Sequence, residues 1–129
     1  MTTTYEAIKK KLEEFYKSDE NIKSCMIIDE QLEGILIIPE TFKDEILYAW
    51  SDIEHILKNQ VKVMKKYGLA DLVQMNFNIL EFGVMMYLLE SGVVLVIVTD
   101  KTDLGPELIK IDRKTRKELM PSINKEILG

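Results

Sequence analysis

Side chains able to do chemistry are scarce in this chain. There is one histidine, His55, and one cysteine, Cys25. A nucleophile and its base would have to come from these or from hydroxyls and carboxylates. At 100° per residue His55 falls opposite the apolar centre of its predicted helix, among Asp44, Tyr48, Asp52, Asn59 and Lys62. That is the place of a solvent-facing side chain. Cys25 sits in an apolar strand pattern, where a free thiol behaves as a small hydrophobe. Asp100, Asp103 and Glu107 cluster before a predicted helix, where acidic groups complement the positive end of the helix dipole, so capping accounts for them better than a metal does. No EF-hand spacing, Gly-Lys-Ser/Thr or Gly-x-Gly-x-x-Gly occurs. The methionines, Met85-Met86 among them, fall in apolar patterns and are read as core filling. The expectation is a protein that is not an enzyme, with no catalytic residue, cofactor or metal.

The elements that carry these residues fit one domain over residues 1–129, a length that can bury a core without staples. The net charge of −5 argues against nucleic acid or an anionic membrane as main partner, since both need a strong positive field. Basic clusters at Lys9-Lys10-Lys11, at Lys62, Lys65 and Lys66, and at Arg113–Lys117 are offset by nearby acids and read as solvated helix faces. One cysteine leaves no internal disulfide, which suits a reducing compartment. Met1–Glu6 leads into a charged helix without a secretory apolar region. The longest apolar runs, Val84–Leu89 and Val93–Val98, are too short for membrane insertion. A cytoplasmic protein is expected.

A helix is predicted over Tyr5–Lys17. Thr3 and Glu6 have capping-box spacing, and Tyr5, Ile8, Leu12, Phe15 and Tyr16 form one narrow stripe. A hairpin of Ile22–Asp29 and Ile35–Ile38 follows, ended by Pro39. Thr41 is expected to cap a helix running unbroken to Tyr67, with Gly68 at C′ and a length of roughly 40 Å. Its apolar residues are centred on Phe42, Ile46, Ala49, Trp50, Ile53, Leu57, Val61, Met64 and Tyr67. Ile56 and Val63 widen the arc on one side and Leu47 on the other. The arc spans roughly 200°, about twice the stripe that docking on one sheet requires. Either a neighbouring loop or a second subunit must cover the excess, and no spare loop is long enough.

Val73, Met75, Phe77 and Ile79 alternate with Gln74, Asn76 and Asn78, the pattern of an edge strand with one polar face. Gly83–Glu90 is a more apolar strand. After a Ser91-Gly92 turn, Val93–Val98 is an unbroken apolar run that needs cover on both faces and belongs at the sheet centre. Pro106 begins a last helix on a thin stripe of Leu108, Ile111 and Leu119 with Thr115 in line. Pro121 is expected to break or kink it, with Ile123, Ile127 and Leu128 in a short final turn. The fold class is α/β in the α+β sense, ordered α-β-β-α-β-β-β-α. The predicted five-stranded antiparallel sheet has one long helix on one face and two helices on the other.

The stretch Val93–Asp100, the loop Lys101–Gly105 and the helix continuing Glu107–Arg113 resemble the end of a Roadblock (dynein light-chain) domain. In that family an apolar strand ending in Thr-Asp meets a short Leu-Gly loop and then a helix. The element order is also similar, so the resemblance covers nearly the whole chain, although its motif contains no reactive group. Two features depart from the pattern. Asp29 and Gly34 are separated by four residues where a shorter turn is usual, and the long helix is longer. The resemblance implies a profilin-like fold and a homodimer that pairs third strands and packs second helices together. It thereby assigns dimer contacts to Ile46, Trp50, Ile53, Leu57 and Met64 on the helix and to Val73, Met75, Phe77 and Ile79 on the strand. It further implies a scaffold or regulator of a Ras-like small GTPase or a related NTPase docking over the paired helices. Tyr48, Asp52, His55 and Asn59 then become a candidate partner surface, against the plain alternative of solvated side chains. No arginine finger can be assigned, so any effect on GTP hydrolysis would come from ordering the GTPase's own residues.

Three readings follow from different classes. The first is a dimeric GTPase regulator. The second is a structural adaptor subunit with no nucleotide-linked partner. A third, a small-molecule sensor, is the weakest from sequence, which shows no polar ring in an apolar cavity.

Overall fold

The structure, a computed structural model, describes residues 4–29, 34–67, 74–100 and 105–128. Thr3, Gly68, Val73, Asp103 and the first hairpin turn, each given a role above, lie outside the described residues. One five-stranded antiparallel sheet organises the rest, in the order β2-β1-β5-β4-β3. Its strands are β1 (Ile22–Asp29), β2 (Gly34–Ile38), β3 (Gln74–Ile79), β4 (Phe82–Leu88) and β5 (Val94–Thr99).

β5 occupies the centre, and Val94, Leu95, Val96 and Ile97 are fully buried. Its alternate side chains feed two cores, which is why the run is apolar at every position. Leu95 and Ile97 join Cys25, Ile27, Met85 and Tyr87 under helix α1 (Thr4–Lys17) and the C-terminal helices. Val94, Val96 and Val98 join Met26, Ile28, Val84 and Met86 on the opposite face. Between β4 and β5 the chain reverses at Gly92, whose φ of +87° suits glycine and few other residues. Its N–H bonds the Leu89 carbonyl at 2.9 Å.

The helix expected to run unbroken from Thr41 to Tyr67 is interrupted. Helix α2 covers Thr41–Glu45, a 3₁₀ turn Leu47–Ala49, and helix α3 Trp50–Tyr67. Ile46 leaves helical geometry at φ −115°, ψ 25°. Strands of five to eight residues span only about 17–26 Å, against roughly 40 Å for the straight helix. The break lets α2 turn onto β2 and sends Phe42 against Phe82, edge to face with centroids 5.4 Å apart. Thr41 is the first helical residue and makes no cap. Glu40 before it is already in helical geometry, and the Phe42 N–H bonds the Pro39 carbonyl at 3.0 Å.

Pro121 does not end the last helix either. Helix α4 (Pro106–Lys114) passes through a π turn (Thr115–Leu119) into helix α5 (Met120–Leu128). A proline in a regular helix clashes with the carbonyl four residues back. Here the Met120 N–H bonds the Thr115 carbonyl, five residues back. The wider turn falls where that clash would arise. It also keeps Ile111, Thr115, Leu119 and Ile123 buried along one stripe. Tyr5, expected in the stripe of the first helix, is exposed, while Ile8, Leu12 and Phe15 are buried.

Candidate partner surface

The broken helix lies across one face of the sheet and divides its residues into three strips. The first is inward. Ile46, Trp50, Ile53, Leu57, Val61 and Met64 are buried against Met26, Val84, Met86 and Val96. Five of these were expected at a subunit interface. Ile46, Trp50, Ile53, Leu57 and Met64 instead fill the chain's own core, each no more than 7% exposed. The arc was wide enough for two tasks, and the sheet takes its centre.

The second strip is one flank of α3, with Ile56, Gln60, Val63 and Tyr67 at helical spacing. Tyr67 is 47% and Ile56 36% exposed. Leu47, in the 3₁₀ turn, is 62% exposed. Ile56, Val63 and Leu47 widened the predicted arc, and apolar groups left wet in this way mark contact surfaces. Tyr67 was placed at the arc's centre and lies at its margin, because the helix ends there beyond the core.

The third strip faces outward. Asp52, His55 and Asn59 line the side of α3 opposite its buried face, and Tyr48 precedes them in the 3₁₀ turn at 81% exposure. All four expected partner residues are therefore open to solvent. Charge is graded along this region. Asp44, Glu45, Asp52 and Glu54 precede Lys58, Lys62, Lys65 and Lys66, an order that complements the helix dipole. Glu54 accepts a 2.8 Å bond from Lys58, which holds its carboxyl below the usual range. Lys43 sits 5.6 Å from the Trp50 ring centre.

β3 bounds the sheet beside β4 and has no other partner among the described residues. Its backbone groups on the outer side are thus open to a further strand. Met75, Phe77 and Ile79 are half-buried towards the α3 core, and Asn76 and Asn78 are exposed on the other face.

The chemistry-bearing residues remain apart. Cys25 is fully buried, and burial pushes its thiol far above the usual range. Asp100 lies 3.8 Å from Lys23. Among the described residues no group of three His, Cys, Asp or Glu could hold a metal, and no helix is long and apolar enough to cross a membrane. One polar cluster was not foreseen. Asp112 on α4 accepts from Tyr87 of β4 and from Gln74 of β3, and it pairs with Arg116 at 3.3 Å. Sequence spacing shows only the i,i+4 pair of Asp112 and Arg116, since Tyr87 and Gln74 join them through the fold.

No family model matches the sequence, and no curated protein does. Among solved structures the chain is similar to Myxococcus xanthus MglB, at 20% identity over 92% of each chain with a TM-score of 0.60. At that identity the likeness shows the fold, which is Roadblock-like as the sequence resemblance implied.

Proposed function

We propose that this chain is a non-catalytic, cytoplasmic regulator or scaffold of a Ras-like small GTPase, acting as a homodimer of single Roadblock-like domains. The observation that carries the reading is the adjacency of two unfilled features on helix α3 and the 3₁₀ turn before it. These are the apolar flank of Ile56, Val63 and Tyr67, with exposed Leu47 in the preceding turn, and the outward line of Tyr48, Asp52, His55 and Asn59. The flank offers a second copy apolar groups that a sheet-docked helix normally keeps covered. Together with the open side of β3 it gives a self-complementary contact, the kind a two-fold dimer uses. In such a dimer the outward lines of both helices would lie near one another, and the GTPase would dock across them.

The alternative is a structural adaptor that holds a protein partner without regard to nucleotide. Capture of the tagged protein from its native lysate, in parallel with a GTP analogue and with GDP, separates the two. Enrichment of a Ras-like GTPase in one nucleotide state supports the regulator. Recovery of the same non-GTPase proteins in both states supports the adaptor.

A further inference from the structure

On the opposite face of the sheet from α3, helix α4 carries a charge that the chain as a whole does not. The net charge is −5, yet from Lys110 to Lys117 five basic residues stand against one acid, Asp112. Two ordinary causes of such a cluster fail here. A helix that ended at Lys114 would favour basic groups in its last turn, against the negative end of its dipole. This one does not end there. The Thr115 N–H bonds the Ile111 carbonyl and the π turn leads into α5, so the free carbonyls lie further on, near Leu128. Neighbouring acids also account for little. Asp112 pairs with Arg116 at 3.3 Å, while Lys110, Arg113, Lys114 and Lys117 make no ion pair with a described residue.

The helix sorts these cations by direction. Arg116 is drawn towards the sheet by Asp112 and the Tyr87 ring, and Lys114 lines a cleft beside Lys11 and Glu14 of α1. Lys110, Arg113 and Lys117 remain outward, opposite the buried Ile111 and Thr115. All three are exposed, and Ile109 beside them is 63% exposed. The ridge is roughly 10 Å long. Its spacing of three and then four residues follows one helix face, so a second helix with acids at the same spacing would meet all three charges. Arg113, in the middle, can hold a carboxylate through two parallel N–H bonds, and Ile109 adds an apolar contact. An extended polyanion fits less well. Glu107 and Glu118 bound the basic stretch at either end, and the overall charge repels a broad anionic surface.

We propose that this ridge docks a short acidic helix of a partner protein. It lies across the sheet from α3 and does not depend on the GTPase reading.

The test is titration of the isotope-labelled full chain, followed by backbone amide shifts at about 50 mM salt. The probe is a capped alanine-based helix of about five turns with glutamates along one face. Its control is an isomer of the same composition with the glutamates spread round the helix. The one-faced peptide should give saturable shifts centred on Ile109, Lys110, Arg113 and Lys117, and the isomer should bind severalfold more weakly. Arg113→Glu with Lys117→Glu should weaken binding at least tenfold. Lys10→Glu with Lys17→Glu, the same charge change at exposed positions of α1, should weaken it no more than about threefold, as expected of screened charges at a distance. The milder Arg113→Gln with Lys117→Gln decides the matter should the reversal not fold. Equal weakening by the two reversals, or shifts that are absent or scattered, would overturn the site. Equal binding of the isomer would overturn the helical partner, as would tighter binding to phosphatidylserine vesicles than to the peptide.

Discussion

The hydroxyl of Tyr87 donates to the Asp112 carboxylate at 2.5 Å, joining the end of β4 to helix α4 across 25 residues of sequence. The tyrosine ring is fully buried, and the Gln74 amide reaches the same carboxylate oxygen from β3 at 3.1 Å. Three elements are therefore fixed to one carboxylate. A hydrogen bond to a charged group contributes about 1.5–3 kcal/mol, so Tyr87→Phe should destabilise the fold by about that much in urea melts. Burial and the Asp112 charge push the tyrosine pKa well above 10. The folded state thus holds this proton where the unfolded state has released it. The stabilisation is complete below pH 10 and is lost as pH rises beyond it. Between pH 10 and 11 the stability of Tyr87→Phe should fall less steeply than that of the wild type. Parallel slopes would show that the hydroxyl does not titrate with unfolding.

Cys25 gives a second alkaline contribution of the same sign. Its thiol is buried within the α1 core, and its pKa is raised from 9.0 by desolvation alone. In native protein at pH 8 a thiol reagent should label it only at the rate of opening, and in denaturant at once. Labelling of the folded chain within seconds would contradict the burial. Cys25→Ala should cost about 1 kcal/mol or more through the small cavity it leaves and should remove the loss of stability beginning near pH 9.

Much of the fold was legible because periodicity and burial are coupled. The unbroken run ending at Val98 placed β5 centrally, and the alternation from Met75 to Ile79 placed β3 at an edge. The break at Ile46 was not legible, since its residues keep helical spacing and only the short width of the sheet forces the bend. Nor was the left-handed geometry of the β3–β4 turn, where Leu80 adopts φ +54° although neither Leu80 nor Glu81 is a residue that favours it. The width of the apolar arc showed that the long helix has two duties. It could not show which residues serve each, because that depends on where the sheet lies under the helix. The cavity lined by Ile8, Ile27, Leu36, Val93 and Ile127 was hidden for the same reason, its walls coming from α1, two strands, the turn before β5 and α5.

The inward and outward strips of α3 should separate stability from binding. Leu57→Ala removes a fully buried side chain and should cost about 2–5 kcal/mol in chemical denaturation. Tyr48→Ala and His55→Ala lie in solvent and should change stability by no more than about 0.5 kcal/mol. If the outward line is the docking surface, these two variants should weaken partner capture severalfold at unchanged melting temperature. Unaltered capture by the double variant would move the docking site elsewhere.

The flank of α3 bears on self-association. Ile56 and Tyr67 are partly wet in the single chain, so a charge at either position is tolerated there. Buried at a two-fold contact, the same charge would lie unpaired and cost several kcal/mol. Ile56→Glu with Tyr67→Glu should thus leave the circular dichroism and melting curve of dilute protein near those of a monomer, yet remove the dimer in sedimentation. Because the acidic start and basic end of the helix would face each other in an antiparallel pair, wild-type association should also weaken as salt rises from 50 to 500 mM. A wild-type mass equal to one chain at every concentration would remove the dimer, and the outward line would then have to act from a single helix.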